Sequence, residues 1–179
     1  MSDVIIRYAK KEEIPRINEL FIQMLNYVNE QNKKQGIQVD ETTFQNGYDE
    51  GYLDEFFVDA NRFICVAELD GIVVGYLSCV GYQTEDSTSY LYLDDFCVDS
   101  NYRGKGIGSK LVESASTFAC NIGLNNLKLH VDANNSGALR FYTNLGFSLI
   151  KSENGRLEMQ KEILEKKYII PLDLKLRTL

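Results

Sequence analysis

Apolar residues recur along this chain with two different periods. Between Glu12 and Asn29 they stand at Ile14, Ile17, Phe21, Met24 and Val28, the spacing of one helix face, and Pro15 suits the start of that helix. Ahead of it Val4–Tyr8 reads as a strand. Behind it Gln31–Thr43 is polar around Gly36 and reads as a loop, and a short helix is expected around Tyr48–Phe57. Arg62–Leu69 and Ile72–Val80 are rich in Val, Ile and aromatic residues, and Asp70-Gly71 between them is a hairpin signal. Ser89–Val98 extends the run, so the middle of the chain is expected to be an antiparallel meander. Strict alternation divides that last strand into one face with Tyr90, Tyr92, Asp94 and Phe96 and another with Leu91, Leu93, Asp95 and Cys97.

The period then returns to that of a helix. Ile107, Leu111, Ala115, Phe118, Ala119 and Ile122 form one stripe, ended by Gly123. Leu127–Val131 reads as a strand, Ser136–Leu145 as a short helix closed by Gly146, and Phe147–Ile150 and Arg156–Lys161 as strands around Asn154-Gly155. There is no internal repeat and no linker composition. A single domain over residues 1–179 is expected, with 164–179 as a C-terminal extension in which Pro171 breaks any helix.

Composition narrows the class. The 179 residues are 44% hydrophobic and 25% charged, enough to bury a core. The longest apolar run, near Ile72–Val80, is too short to span a bilayer, and the start of the chain lacks the basic-then-apolar pattern of a signal peptide. A cytoplasmic protein with no membrane partner is the expectation. A net charge of -7 argues against a nucleic-acid partner. Seven of the acids fall between Asp40 and Asn61, where there is no Lys or Arg; they read either as a solvated face or as a field that draws a cation. Cys65, Cys79, Cys97 and Cys120 form no C-x-x-C pair, and His130 is the lone histidine, so buried free thiols are expected and no metal site.

The stretch 101-NYRGKGIGSKLVE-113 departs from ordinary turn chemistry, with Gly104, Gly106 and Gly108 on alternate positions. A P-loop would need a glycine where Ser109 stands, and a dinucleotide fingerprint has G-x-G-x-x-G after the first strand of a parallel unit; neither fits. What remains is a strand, a glycine turn and a helix N-terminus, which together gather unpaired backbone N–H groups where an anion can sit.

The run from Leu93 to Glu113 resembles the central motif of the GCN5-related N-acetyltransferases, [RQ]-x-x-G-x-[GA], at Arg103, Gly106 and Gly108. A second block, 135-NSGALRFYTNLGF-147, is similar to that family's later motif at Asn135, Ala138, Phe141, Tyr142, Gly146 and Phe147. The resemblance covers roughly residues 3–161 and implies an α/β (α+β) fold whose mixed, mostly antiparallel sheet splays at a cofactor cleft and is flanked by helices. It further implies acetyl-coenzyme A as co-substrate. Its pyrophosphate would lie on the Arg103, Gly104, Lys105, Gly106, Ile107, Gly108 and Ser109 backbone, and its pantetheine arm against the edge of Phe96, Cys97 and Val98. Asn135 would bond that arm or cap its own helix. Lys105, Lys110 and Arg140 read equally as phosphate partners or as solvated surface.

For the chemistry, the resemblance places Tyr142 beside the coenzyme sulfur as a proton donor. The stretches YLDDFCV and YRGKGIGS resemble polyamine acetyltransferases, in which an acid at the place of Asp94 is a proposed base; a structural role for Asp94 weighs about equally. His130 is a weaker alternative base, read first as packing or bonding within its strand. The implied function is acetyl transfer to a small-molecule amine acceptor, a small cationic amine first, with a protein N-terminus or lysine as the alternative acceptor. A non-catalytic acyl-coenzyme A binding module is the alternative of another class, and a homodimer is left open.

Overall fold

The computed structural model describes residues 3–39, 47–83 and 89–163. The expected C-terminal extension, and Asp40 and Glu41 of the acidic stretch, lie outside the described residues. Strands β1 (Ile5–Tyr8), β2 (Arg62–Leu69), β3 (Ile72–Tyr82), β4 (Tyr90–Val98), β5 (Asn126–Asp132), β6 (Ser148–Glu153) and β7 (Arg156–Glu162) make one sheet in the order β1-β2-β3-β4-β5-β7-β6. All neighbours are antiparallel except β4 and β5. A parallel pair needs a crossover, and α2 (Ile107–Asn121) supplies it. The mixed, mostly antiparallel sheet flanked by helices is the architecture expected from the sequence.

Two apolar layers cover the sheet. Leu77, Leu91, Leu93, Leu127 and Leu129 pack with Ile107, Leu111 and Ala115 of α2 on one face, joined by Tyr142 of α3 (Ser136–Asn144). On the other face Ile17, Leu20 and Phe21 of α1 (Ile14–Lys34) meet Ile64, Val66 and Tyr76, together with Leu53 and Phe56 of a 3-10 turn at Tyr52–Phe57. That 3-10 segment falls within the span Tyr48–Phe57 where a short helix was expected. Helix α1 outruns its apolar period: Glu30 to Lys34 carry no stripe but, apart from Asn32, are good helix formers. The two lysines in the last turn favour its negative end, and Gly36 at φ 74° follows the stop. Arg16 fastens α1 to the sheet, with Nε donating to the Val73 carbonyl at 3.0 Å and Nη2 to Asp99 at 2.7 Å. Cys65, Cys79 and Cys97 are buried free thiols, and Cys120 is half-buried.

The alternation expected of β4 fails at its centre. Leu77 stands opposite Phe96 but Cys79 stands opposite Leu93, so Ser78 alone faces both Asp94 and Asp95. This is a β-bulge, which adds a residue, bends the strand and re-aims the side chains beyond it. Ser78 closes it, its Oγ accepting the Asp95 N–H at 3.0 Å. Beyond the bulge Phe96 and Val98 join the α2 layer, while Cys97 joins the α1 layer. Asp94 is exposed. Asp95 is half-buried and accepts the Tyr48 hydroxyl at 2.7 Å, and that hydroxyl also lies 2.9 Å from Tyr76 Oη.

Helix α2 and β4 approach closely at Gly108. A Cβ there would lie 2.9 Å from Phe96 Cζ and 3.1 Å from Phe141 Cζ, two rings stacked at 5.5 Å. Gly108→Val is therefore expected to overpack this contact and lower stability by about 1–3 kcal/mol, read as a fall in the denaturant midpoint. An unchanged midpoint would show that the rings yield freely.

Burial pushes the Asp95 carboxyl up from 3.8 to about 6, against the lowering effect of the Tyr48 bond and aided by the neighbouring Asp94 charge. The folded value lies above the unfolded one, so the folded chain holds an extra proton between those pH values. Stability from this group is full below the window and falls as pH rises through it, by about 3 kcal/mol in all. Asp95→Asn should remove that slope. The difference in unfolding free energy between wild type and variant, measured from pH 4 to 7.5, is expected to move steadily in the variant's favour; a difference that does not change with pH would contradict it.

Candidate active site

Strands β4 and β5 are paired only at Leu91–Leu127 and Tyr92–Lys128, whereas β5 and β7 stay paired along their whole length. Past Tyr92 the two parallel strands part, at the point where the bulge bends β4. The β4 edge from Leu93 to Val98 has no strand partner on that side among the described residues. The result is a cleft with its vertex at Tyr92 and its open end at the glycine loop.

At the open end, Gly104 and Gly106 hold left-handed backbone at φ 76° and 75°, and no atom lies within 4 Å of a Cβ built on either. Gly106 caps α2, whose first backbone bond runs from Lys110 N to Gly106 O; the amides before it have no carbonyl a turn back to bind. The loop is thus an open, donor-rich concavity that fits a phosphate group. Gly108 differs from the other two glycines, since its role is the close packing described above. Arg103 turns away from the concavity: Nε donates to the Val98 carbonyl at 2.9 Å, and the guanidinium lies 5.0 Å from the Tyr27 ring of α1. Lys105 sits 5.0 Å from the Tyr102 ring, and Lys110 and Arg140 are exposed. Asn135 is a helix cap, its Oδ1 accepting Ala138 N–H at 3.0 Å. The gap is bridged by α1, with Gln23 accepting Ser100 N–H at 3.0 Å on one side and Gln35 donating to the Asn134 carbonyl at 3.4 Å on the other.

At the vertex, Tyr142 of α3 is buried among Phe96, Phe141 and Phe147, and its hydroxyl has no hydrogen-bond partner among the described residues. Burial, with smaller contributions from Cys79 and Tyr92, holds its ionisation well above the ordinary tyrosine value, so it is a protonated donor at neutral pH. On the other face Tyr92 Oη and His130 Nδ1 are 3.0 Å apart, a bond across the parting strands. His130 is exposed, and its partner lies on the neighbouring strand rather than its own. Burial likewise raises Tyr92, with Asp94 adding to the shift and Arg156 opposing it.

The carboxylates sit beside this vertex under an aromatic roof. Phe21, Tyr48 and Tyr52 stack in series, at 3.8 and 5.2 Å, and Tyr52 donates to Asp94 at 3.0 Å as Tyr48 does to Asp95. The acidic stretch is less of a free field than its sequence suggests. Asp54 pairs with Lys11 at 2.8 Å, and Glu55 and Asp59 pair with Arg62 at 2.6 and 3.3 Å, cations from outside the stretch. Of the sequence candidates, the structure brings together Tyr142 and Phe96 at the vertex and the glycine loop at the mouth. Tyr92 was missed because alternation assigned it to a plain strand face. The adjacent pair Asp94-Asp95, which breaks an apolar alternation, signals the bulge, but nothing local to Tyr92 points to His130, 38 residues further along the chain.

Residues 33–147 match the acetyltransferase (GNAT) family. The probable N-acetyltransferase san of Drosophila melanogaster is 34% identical over 106 residues, 57% of each chain. The spermine/spermidine N(1)-acetyltransferase of Bacillus subtilis is 29% identical over 86 residues, 45% of this chain and 51% of that one. The match thus spans about half the length of these curated relatives. The PaiA N-acetyltransferase of Thermoplasma acidophilum, solved in complex with coenzyme A, superposes with a TM-score of 0.67 at 16% identity, covering 89% of this chain and 99% of that one. With the family match covering well over half the chain, and the splayed sheet and glycine loop beside it, this chain belongs to the GNAT acetyltransferase family.

Proposed function

We propose that this chain transfers an acetyl group from acetyl-coenzyme A directly to a primary amine. The observation that carries the reading is the vertex of the β4–β5 cleft, with a buried protonated tyrosine on one face and a Tyr92–His130 pair beside two carboxylates on the other. The co-substrate supplies an activated acetyl thioester. The concavity at Gly104–Ser109 would hold its pyrophosphate, and the unpaired β4 edge at Phe96–Val98 its pantetheine arm as an added strand.

The residues then divide the proton traffic. Tyr142 is the proton donor toward a departing thiolate, since its hydroxyl is neutral and uncommitted. An amine of lysine type is charged at neutral pH and must lose a proton before it attacks. Asp94, held by Tyr52, is one acceptor for that proton; His130 is the second, because Tyr92 occupies its Nδ1 and leaves Nε2 free. Asp94 and Asp95 also favour an acceptor that arrives as an ammonium ion, which supports a small cationic amine over a neutral one. The name of the Bacillus relative, which is for spermine and spermidine, points the same way.

A thiol-release assay with acetyl-coenzyme A against polyamines, amino acids, amino sugars and peptides tests the activity; no release with any amine would leave a binding module. Tyr142→Phe is expected to lower kcat by about 100-fold or more while coenzyme affinity stays near wild type. Turnover unchanged at saturating amine would remove Tyr142 from the chemistry. Gly106→Val is expected to abolish coenzyme binding by calorimetry at a modest cost in stability. The left-handed backbone costs a β-branched residue about 1–2 kcal/mol, and no neighbour lies within 4 Å of the new Cβ. Retained affinity would mean the pyrophosphate rests elsewhere.

A further inference from the structure

Among the described residues no helix covers the outer face of β5, β7 and β6, and a hollow of about 230 Å3 opens there, lined by His130, Lys151, Glu153, Asn154, Arg156 and Glu158. His130 belongs both to this hollow and to the pair at the cleft vertex, so the hollow continues the side from which an acceptor would reach the vertex. Its charges can be followed one by one. Glu153 is taken by Lys151, 2.5 Å away, and Glu158 by Lys128, 3.4 Å away. Arg156 is left with no ion pair or hydrogen bond among the described residues, although Asp132 and Glu153 are its strand partners in register. A chain of net charge -7 therefore presents an uncommitted guanidinium in a hollow that adjoins its candidate proton acceptor. The charge of Arg156 is felt at the vertex, where it opposes the upward shift of Tyr92.

We propose that Arg156 is a specificity residue that binds a carboxylate on the acceptor, so that the acceptor is a small amine of the amino-acid class. The proposal rests on the acetyl-transfer reading and refines it: the ammonium end lies toward Asp94 and His130, and the carboxylate lies in the hollow on Arg156. A guanidinium offers two parallel N–H donors that match a carboxylate, and a neighbour such as Asn154 can add a third. A diamine without a carboxylate would leave Arg156 unused, and a diamino acid would satisfy both ends while remaining cationic overall.

Matched sets of probes isolate the carboxylate: lysine, lysinamide and cadaverine, and methionine, methioninamide and 3-methylthiopropylamine. Binding to the full chain is measured by calorimetry with coenzyme A present, which reads recognition independently of turnover. In at least one set the carboxylate form is expected to bind about tenfold tighter than its amide and its decarboxylated amine, and Arg156→Gln should erase that preference while leaving amide and amine affinities alone. Arg156→Lys should restore part of it, since the charge returns without the fork. The proposal is overturned if no set shows a carboxylate preference, if the preference survives Arg156→Gln, or if peptides bind more tightly than every free amino acid without dependence on Arg156. Thiol release from cadaverine as fast as from lysine, unchanged in Arg156→Gln, would overturn it too while leaving acetyl transfer intact. Absence of release from every amine would instead count against the transfer reading itself.

Discussion

The bulge at Asp94-Asp95 is the constraint on which the rest of the cleft depends. A parallel strand pair of this length would ordinarily zip along its whole edge, leaving no backbone for a ligand. Here the extra residue, closed by the Ser78 hydroxyl on the Asp95 amide, bends β4 immediately after its last pairing with β5. The same distortion does three things at once. It frees the Leu93–Val98 edge, rotates Phe96 toward α2 and α3, and turns both carboxylates toward the aromatic stack of Tyr48 and Tyr52. Cleft, apolar wall and acidic rim are consequences of a single inserted residue.

The inserted residue is stabilised from both faces. On the α2 side, Gly108 lets Phe96 and Phe141 approach a helix more closely than any side chain would permit, and Tyr142 completes that cluster. On the α1 side, the Tyr76–Tyr48–Asp95 series of hydroxyls and carboxylate satisfies polar groups that would otherwise be buried alone. The raised Asp95 carboxyl marks the cost of that arrangement, since a strand centre without the bulge would not bring a carboxylate under an aromatic roof.

Much of this was legible in the sequence and some was not, for identifiable reasons. Helix α2 and the Asp70-Gly71 hairpin declared themselves because one period governs each, and the glycine loop because three glycines exceed what a turn requires. Helix α1 was read too short because its last turns carry propensity without an apolar stripe. The faces of β4 were read wrongly past Leu93, since alternation assumes one residue per register step and a bulge has two. The Tyr92–His130 bond joins residues far apart in the chain that only the parallel pairing of β4 with β5 brings near, so no local pattern announces it. Arg156 was invisible for the opposite reason: what distinguishes it is the lack of a counter-ion, and in a sequence rich in acids every arginine looks supplied.

The environments on the two faces of the vertex give the proposed reaction a direction. A group that gives up a proton at neutral pH must be protonated beforehand, and burial in an aromatic cluster keeps the Tyr142 hydroxyl so. A group that takes one must be exposed enough to exchange it with solvent, and both Asp94 and His130 are exposed. In the proposed reaction, proton acceptance and proton donation are thereby separated across the sheet: the amine loses its proton on the open, charged side, and the thiolate gains one on the closed, apolar side. No single residue has to perform both tasks, and water reaches the acceptors without entering the cluster that keeps the donor protonated. The splay permits this, because only where the strands part can one reacting centre touch both faces of the sheet.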